Sequence, residues 1–198
     1  LMAVARARRD WQASAATVEP RVSTWDVSRA AFGELTRLQA ASQVEGWTRE
    51  LVGRTLAVFR LAGSLILEQP VSQMTKLENA SETDREDRLY VRSWLFGGTA
   101  ALVSSAMTVR RIALALPSIR NDRPEDEGLI ETIRQGLQSF TTARYSPGDD
   151  SEPETLSDDV ERAIEVLSVL RRRTLPPISA VTVARRTLQQ WMKKRWPR

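Results

Sequence analysis

Apolar side chains along this chain recur at spacings of three and four residues, and runs that alternate apolar and polar positions are nearly absent. Spacings of three and four bring side chains to one face of an α-helix, whereas alternation is typical of a half-buried β-strand. The pattern therefore predicts an all-α fold, a single helical domain over residues 1–198 that is built as a bundle of six or seven helices.

The N-terminal third of the chain contains three predicted helices. One covers about 3–17. The next can be capped by Ser23 or Asp26, whose oxygens can accept free N–H groups of a first turn, and it carries one apolar stripe (Val27, Ala31, Leu35, Leu38, Ala41). The third extends to about Leu67 and carries another (Trp47, Leu51, Leu56, Phe59, Gly63, Ile66). A break at Gly46 or at the Ser42-Gln43 step separates these last two helices, or they form one long helix.

A further helix is predicted over about 84–116, ending at Pro117, with a linker over 118–127. Two amphipathic helices follow, one on each side of an acidic loop over 146–155. Their stripes are Leu129, Ile133, Leu137 and Phe140, and Leu156, Val160, Ala163, Ile164, Leu167 and Leu170. Because the loop is long enough to reverse the chain, we expect these two helices to pack as an antiparallel pair. A last helix begins near Ser179, and a basic tail covers 192–198.

The uncharged stretch Ser93–Val109 allows two interpretations. Its seventeen residues reach the lower limit for crossing a bilayer, and Trp94 with flanking arginines is typical of interfacial anchors. The stretch also contains two glycines, two threonines and three serines, which suit close helix packing inside a bundle. We therefore predict a buried central helix, with membrane insertion as the alternative.

Cysteine and histidine are both absent from the chain. Thiol nucleophiles, disulfide frameworks, imidazole-based triads and the usual zinc ligand sets are therefore excluded. The acidic pairs Asp149/Asp150 and Asp158/Asp159 lie in a polar loop and at a helix start, where solvation and capping account for them. We predict no catalytic residue, no metal ligand, no cofactor and no small-molecule substrate, so the chain is not expected to be an enzyme.

Charge is distributed in blocks along the chain, although the net charge is only +4. Residues 122–165 carry thirteen acids against four bases, and residues 166–198 carry nine bases and no acid. Blocks of like charge indicate how a protein is solvated and which partners it binds, and they say little about its fold. Either the acidic and basic blocks lie near each other or face water, or the basic block forms a surface that meets the phosphates of nucleic acid or lipid headgroups.

The basic block supplies the candidate binding residues. Five cations lie near the C-terminus, among two tryptophans, Trp191 and Trp196, and they are predicted to form a surface for an anionic partner (Arg185, Arg186, Lys193, Lys194, Arg195). Cations bind phosphate, while indole rings stack on bases or lie at a lipid interface. The alternative is that Trp191 packs in the core and the remaining residues form a solubilising tail.

Two short motifs carry a resemblance to a known domain. Ala143-Arg144-Tyr145 is followed by Ser146-Pro147, and a second amphipathic helix begins with residues 156–163. Residues 129–172 therefore resemble an uncharacterised helical domain at the C-terminus of membrane-anchored bacterial and archaeal proteins, including transglutaminase-like ones. The resemblance implies a helical accessory module on the cytoplasmic side of a membrane and no known chemistry.

These observations lead to two functional hypotheses. The first is a non-enzymatic interaction or scaffold subunit of a larger, membrane-associated assembly, cytoplasmic and either peripheral to or anchored at the membrane. Its partners are proteins, and acidic lipid or nucleic acid can bind through the C-terminal basic block. The alternative is a nucleic-acid-binding or nucleoprotein-type helical protein.

Overall fold

A computed structural model describes residues 22–75, 87–93, 100–146 and 152–174. The elements are α1 (Thr24–Glu45), α2 (Arg49–Ile66), β1 (Ser72–Met74), β2 (Leu89–Arg92), β3 (Ala100–Ser104), α3 (Val109–Asp122), α4 (Pro124–Tyr145) and α5 (Pro153–Arg173). The described chain is mostly helical, as predicted, with five helices and one small sheet that the all-α prediction lacks. The helices predicted at 3–17 and from Ser179 lie outside the described residues, so a total of six or seven stays a prediction.

Four long helices form a closed ring around the core. Helix α1 packs against α2, α2 against α4, α4 against α5, and α5 back against α1. Helix α3 packs on the outside of α4, and the sheet packs against α1 and α2. One continuous cluster of buried side chains draws on all of these elements, and its largest fully buried members include Phe59, Phe140 and Leu35.

The boundary between α1 and α2 follows from local chemistry. Ser23 caps α1, because its Oγ accepts the Asp26 N–H at 3.1 Å. Gly46 ends α1 in the left-handed region at φ 73°, where residues with a Cβ are strained. Thr48 then caps α2 by accepting the Leu51 N–H. Of the alternatives that the sequence leaves open, the structure has the break at Gly46.

The helix predicted over 84–116 is right for residues 109–116, which belong to α3, and wrong for the described residues before them. Residues 89–92 and 100–104 are strands of an antiparallel sheet with the order β1-β3-β2, in which Tyr90 pairs with Leu102. Strand β3 is central, and Ala101, Leu102 and Val103 are all buried, so it presents a continuous apolar run. Such a run cannot be distinguished from a buried helix by periodicity. Within the described part of Ser93–Val109, strand and loop replace the predicted central helix, while residues 94–99 lie outside the described ranges.

The linker predicted over 118–127 is also wrong. Helix α3 continues through Pro117 to Asp122, and α4 begins at Pro124 after a single connecting residue. A proline inside a helix removes one hydrogen bond to the carbonyl four residues before it. Pro117 and Ala113 are both exposed, so water can satisfy that carbonyl. Pro124 occupies the first helical position, where no N–H is needed.

Helices α4 and α5 form the predicted antiparallel pair. The last turn of α5 meets the first turn of α4 through an ion pair between Arg173 and Asp126, so the helices run in opposite directions. Both predicted stripes are largely buried, although Leu129 and Ile164 at their edges are only half-buried. Ile130 and Val166, which the stripes omit, are buried instead.

None of the helices in the described ranges combines the length and the apolar character needed to cross a membrane.

Candidate functional site

The predicted anionic-partner surface lies beyond the described residues. Its five cations (Arg185, Arg186, Lys193, Lys194, Arg195) all follow Thr174, the last residue that the structure describes. The basic block of residues 166–198 begins earlier, however, within α5. The described part of this block, Arg171 to Arg173, can therefore be placed and its surroundings determined.

Three consecutive arginines at the end of α5 point in three directions. Successive residues on an α-helix are rotated by about 100°. Arg173 consequently reaches α4, where it pairs with Asp126, and Arg171 reaches α1, where its guanidinium carbon lies 5.4 Å from the centre of the Phe32 ring. Arg172, between them, is exposed to solvent. One arginine of the three is thus used in an ion pair, and two remain on the surface.

The side of α1 that Arg171 contacts carries aromatic and basic side chains alternately. Trp25, Arg29 and Phe32 are spaced by four and three residues, which places them on one helix face, and all three are half-buried. The Arg29 guanidinium carbon lies 5.3 Å from the centre of the Trp25 ring. Guanidinium groups at this distance from aromatic rings are attracted by the ring quadrupole. The helix therefore holds Arg29 in a defined position.

Contacts from two other elements join these side chains into one surface. Ser28 and Thr174 share a hydrogen bond of 3.0 Å between their hydroxyls, which ties the end of α5 to α1. On the other side, Arg29 Nη2 donates to the backbone carbonyl of Arg92 at the end of β2, at 3.2 Å. We call Trp25, Arg29, Phe32, Arg92, Arg171 and Arg172 the arginine–aromatic surface.

The four cations of the arginine–aromatic surface are not neutralised by any acid in the described part of the chain. No carboxylate in the described ranges lies within 4.0 Å of Arg29, Arg92, Arg171 or Arg172. The Nε of Arg29 is also buried without a hydrogen-bond acceptor among the described residues. Arg29 and Arg171 lie over rings of α1, and Arg29 also contacts the backbone of Arg92, so a partner that supplies anionic oxygens would be attracted to this part of the molecule.

Several arginines elsewhere in the bundle are engaged with acids, whereas others, among them Arg49 and Arg110, have no acidic partner among the described residues. Arg54 of α2 pairs with Glu34 of α1, and the hydrogen bond with Glu127 raises the pKa of Arg120. The hydrogen bonds that Arg134 donates lower the pKa of the Glu131 carboxyl. In each case the partners stabilise each other's charged form. These arginines serve the fold and have little charge to offer a partner.

A cleft of about 350 Å³ opens where α1 begins and α2 ends, and its lining includes Ser64, Glu68 and Gln73. The Gln73 amide is bonded to the backbone there, because it accepts from the Val22 N–H at 2.9 Å and donates to the Val22 carbonyl at 3.2 Å. Ser64 is hydrogen-bonded to Ser105. These two polar side chains of the cleft thus bind other parts of the chain.

The carboxylate pair at the start of α5 is divided by the helix. Asp158 is exposed, whereas Asp159 is buried and accepts from Arg162 Nη2 at 2.8 Å. Asp149 and Asp150 lie outside the described residues. Within the described ranges, no group of three acidic side chains is placed to hold a metal ion.

The chain matches no protein-family model, no curated protein and no solved structure. The resemblance of residues 129–172 to the domain of membrane-anchored proteins therefore stays a prediction.

Trp25, Arg29, Phe32 and Arg92 are the functional candidates that the sequence analysis missed. A signal for three of them was present, since their spacing of four and three residues forms a second stripe on α1 beside the apolar stripe. Arg92 gave no such signal, because its strand was predicted to be helix.

Proposed function

We propose that this chain is a non-enzymatic helical interaction subunit, which joins a larger assembly by binding a phosphate-bearing polyanionic partner. The observation that carries the proposal is the arginine–aromatic surface. Two of its four cations lie against aromatic rings, and none is paired with an acid within the described residues. Arginine suits such a role, because its planar guanidinium matches the geometry of phosphate oxygens.

The position of the surface also supports this proposal. Arg171 and Arg172 lie in the last turn of α5, and the five predicted cations follow later in the sequence, from Arg185 onwards. We propose that these five cations act on the same partner as the described surface. Acidic lipid headgroups on the cytoplasmic side of a membrane are one source of such phosphate, and nucleic acid is another.

The test measures binding of inorganic polyphosphate, a polyanion without bases or lipid, to the full chain by calorimetry. A surface variant combines Arg92→Gln, Arg171→Gln and Arg172→Gln. A matched control combines Arg37→Gln, Arg49→Gln and Arg110→Gln, which removes the same charge from three exposed positions elsewhere. We expect at least a tenfold loss of affinity in the surface variant. Equal affinities of the two variants would contradict the proposal, because binding would then follow net charge alone.

A further inference from the structure

We infer that the partner of the arginine–aromatic surface is a single-stranded nucleic acid, whose phosphates bind the arginines and whose bases stack on Tyr90. This inference rests on the proposed function and names its partner. Tyr90 lies on β2, two residues before Arg92, and both side chains are exposed on the same face of the strand. An aromatic ring and a phosphate-binding cation are thus placed side by side on the exposed face of β2, and Arg29 contacts the backbone carbonyl at the end of that strand.

Tyr90 is exposed although Leu102, its cross-strand partner on the same face of the sheet, is buried. Its side chain is 53% exposed, while Leu89 and Val91 on the other face of β2 are buried against the helices. Large aromatic side chains usually bury most of their surface. An exposed ring beside an arginine that has no acidic partner in the described ranges suits a single strand, because every base has a flat face that stacks on an aromatic side chain.

Guanidinium planes offer further stacking positions. Arg171 lies over Phe32 and Arg29 over Trp25, so each guanidinium is held by a ring beneath it. Bases of single strands stack on arginine planes as well as on aromatic rings. An ordered guanidinium can therefore contact a base and a neighbouring phosphate together, which a lysine could not do.

The surface fits a single strand better than a membrane. Trp25 and Phe32 are half-buried, and the guanidinium groups lie over them, so they present little apolar area for insertion between lipids. Interfacial helices depend on an exposed apolar face. Duplexes are also disfavoured, because their bases are stacked inside the helix and cannot reach Tyr90.

The test titrates the full chain with fluorescein-labelled dodecauridine, with inorganic polyphosphate, with duplex RNA and with vesicles of phosphatidylserine and phosphatidylcholine. Tyr90→Leu removes the aromatic ring but keeps an apolar side chain on the strand. Tyr145→Leu is the matched control, because Tyr145 is 66% exposed at the opposite end of the bundle. Far-ultraviolet circular dichroism and urea unfolding verify that each variant is folded.

We expect Tyr90→Leu to weaken dodecauridine binding at least about fivefold, since stacking on an aromatic ring contributes strongly to each bound base. Binding of polyphosphate should change less than twofold, and Tyr145→Leu should change neither. The surface variant should also make the negative slope of log K against log salt shallower by about 2, because each phosphate contact on a single strand contributes about 0.7 to its magnitude.

Each other outcome overturns the inference in a recognisable way. If polyphosphate binds but Tyr90→Leu leaves dodecauridine binding unchanged, the proposed function stands and the nucleic-acid partner is wrong. Tighter binding to duplex RNA, or vesicle binding that the surface variant abolishes while dodecauridine does not bind, would also exclude a single strand. If none of the four probes binds, the inference and the proposed function both fail.

Discussion

The two ends of the helical ring are closed by different interactions. At one end Trp47, between α1 and α2, packs edge-on against Phe140 of α4 with 5.1 Å between ring centres, and its Nε1 donates to Ser157 Oγ of α5. At the other end, Arg173 of α5 pairs with Asp126 of α4. We call these the Trp47 end and the Asp126 end.

The two ends differ in what they contribute: one mainly stabilises the bundle, and the other places the candidate binding residues. Burial of aromatic rings contributes directly to the free energy of unfolding. A buried ion pair contributes little net free energy, because the cost of removing the charges from water offsets their attraction. It does fix how the two paired side chains are oriented. At the Asp126 end, orientation decides which arginines remain exposed, and the arginine–aromatic surface lies there. The Trp47 end and the middle of the bundle should therefore contain most of the stability.

The largest expected effect comes from Phe140, which is fully buried between Trp47 and the stacked ring of Phe59. Gly136, one turn earlier on α4, leaves room for Phe59, because an added Cβ would overlap that ring. Phe140→Ala should lower the free energy of unfolding by about 3–5 kcal/mol, measured by urea denaturation. Tyr145→Ala, on the same helix but exposed, should cost less than about 0.5 kcal/mol. A loss below about 1 kcal/mol for Phe140→Ala would show that this end does not stabilise the bundle.

The Asp126 end should be less sensitive. Asp126→Asn removes the partner of Arg173, whose side chain is 44% exposed and so can be solvated instead. We expect a loss of about 1–2 kcal/mol in the same urea experiment, below the cost of breaking a fully buried pair. Glu125→Gln is the control, since Glu125 is exposed and forms no ion pair with another described residue. If Asp126→Asn destabilised the protein as much as Phe140→Ala, the contrast between the two ends would be lost.

The smallest effect concerns Glu68, which follows α2 at the Asp126 end in the left-handed region, at φ 53°. The Gln69 N–H bonds the Ser64 carbonyl at 2.8 Å across this turn, an arrangement in which glycine is preferred. Glu68→Gly should raise the free energy of unfolding by about 0.5 kcal/mol, because relief of backbone strain exceeds the loss of an exposed ion pair with Arg123. Glu68→Ala, which keeps the strain and loses the ion pair, should not stabilise. Equal effects of the two substitutions in thermal unfolding would contradict this explanation.

The predictability of the fold differs between elements for a physical reason. The stripes Ile133–Leu137–Phe140 and Val160–Ala163–Leu167 were found from the sequence, because each helix buries one face and exposes the other. Strand β3 was missed, because a strand buried on both faces loses its alternation. Strand β2 alternates over only four residues, which is too short a run to stand out.

Of the candidate site, only the positive charge was predictable from the sequence. The basic block was visible in the sequence, and Arg171 to Arg173 belong to it. Nothing in the sequence indicated that Arg171 meets Phe32, since 139 positions separate the two residues and they approach only through the packing of α5 on α1.

The sequence by itself determined where α1 begins and offered the place where it separates from α2, because caps, a glycine at positive φ and apolar stripes act through neighbours within one or two turns. Ser23, Gly46 and Thr48 set such boundaries without help from distant residues. The tertiary structure alone decided which arginines are neutralised and which remain exposed, because an ion pair depends on the distance between side chains on different helices. Arg173 faces an acid on α4, whereas Arg171 faces an aromatic ring on α1 and keeps its charge for a partner.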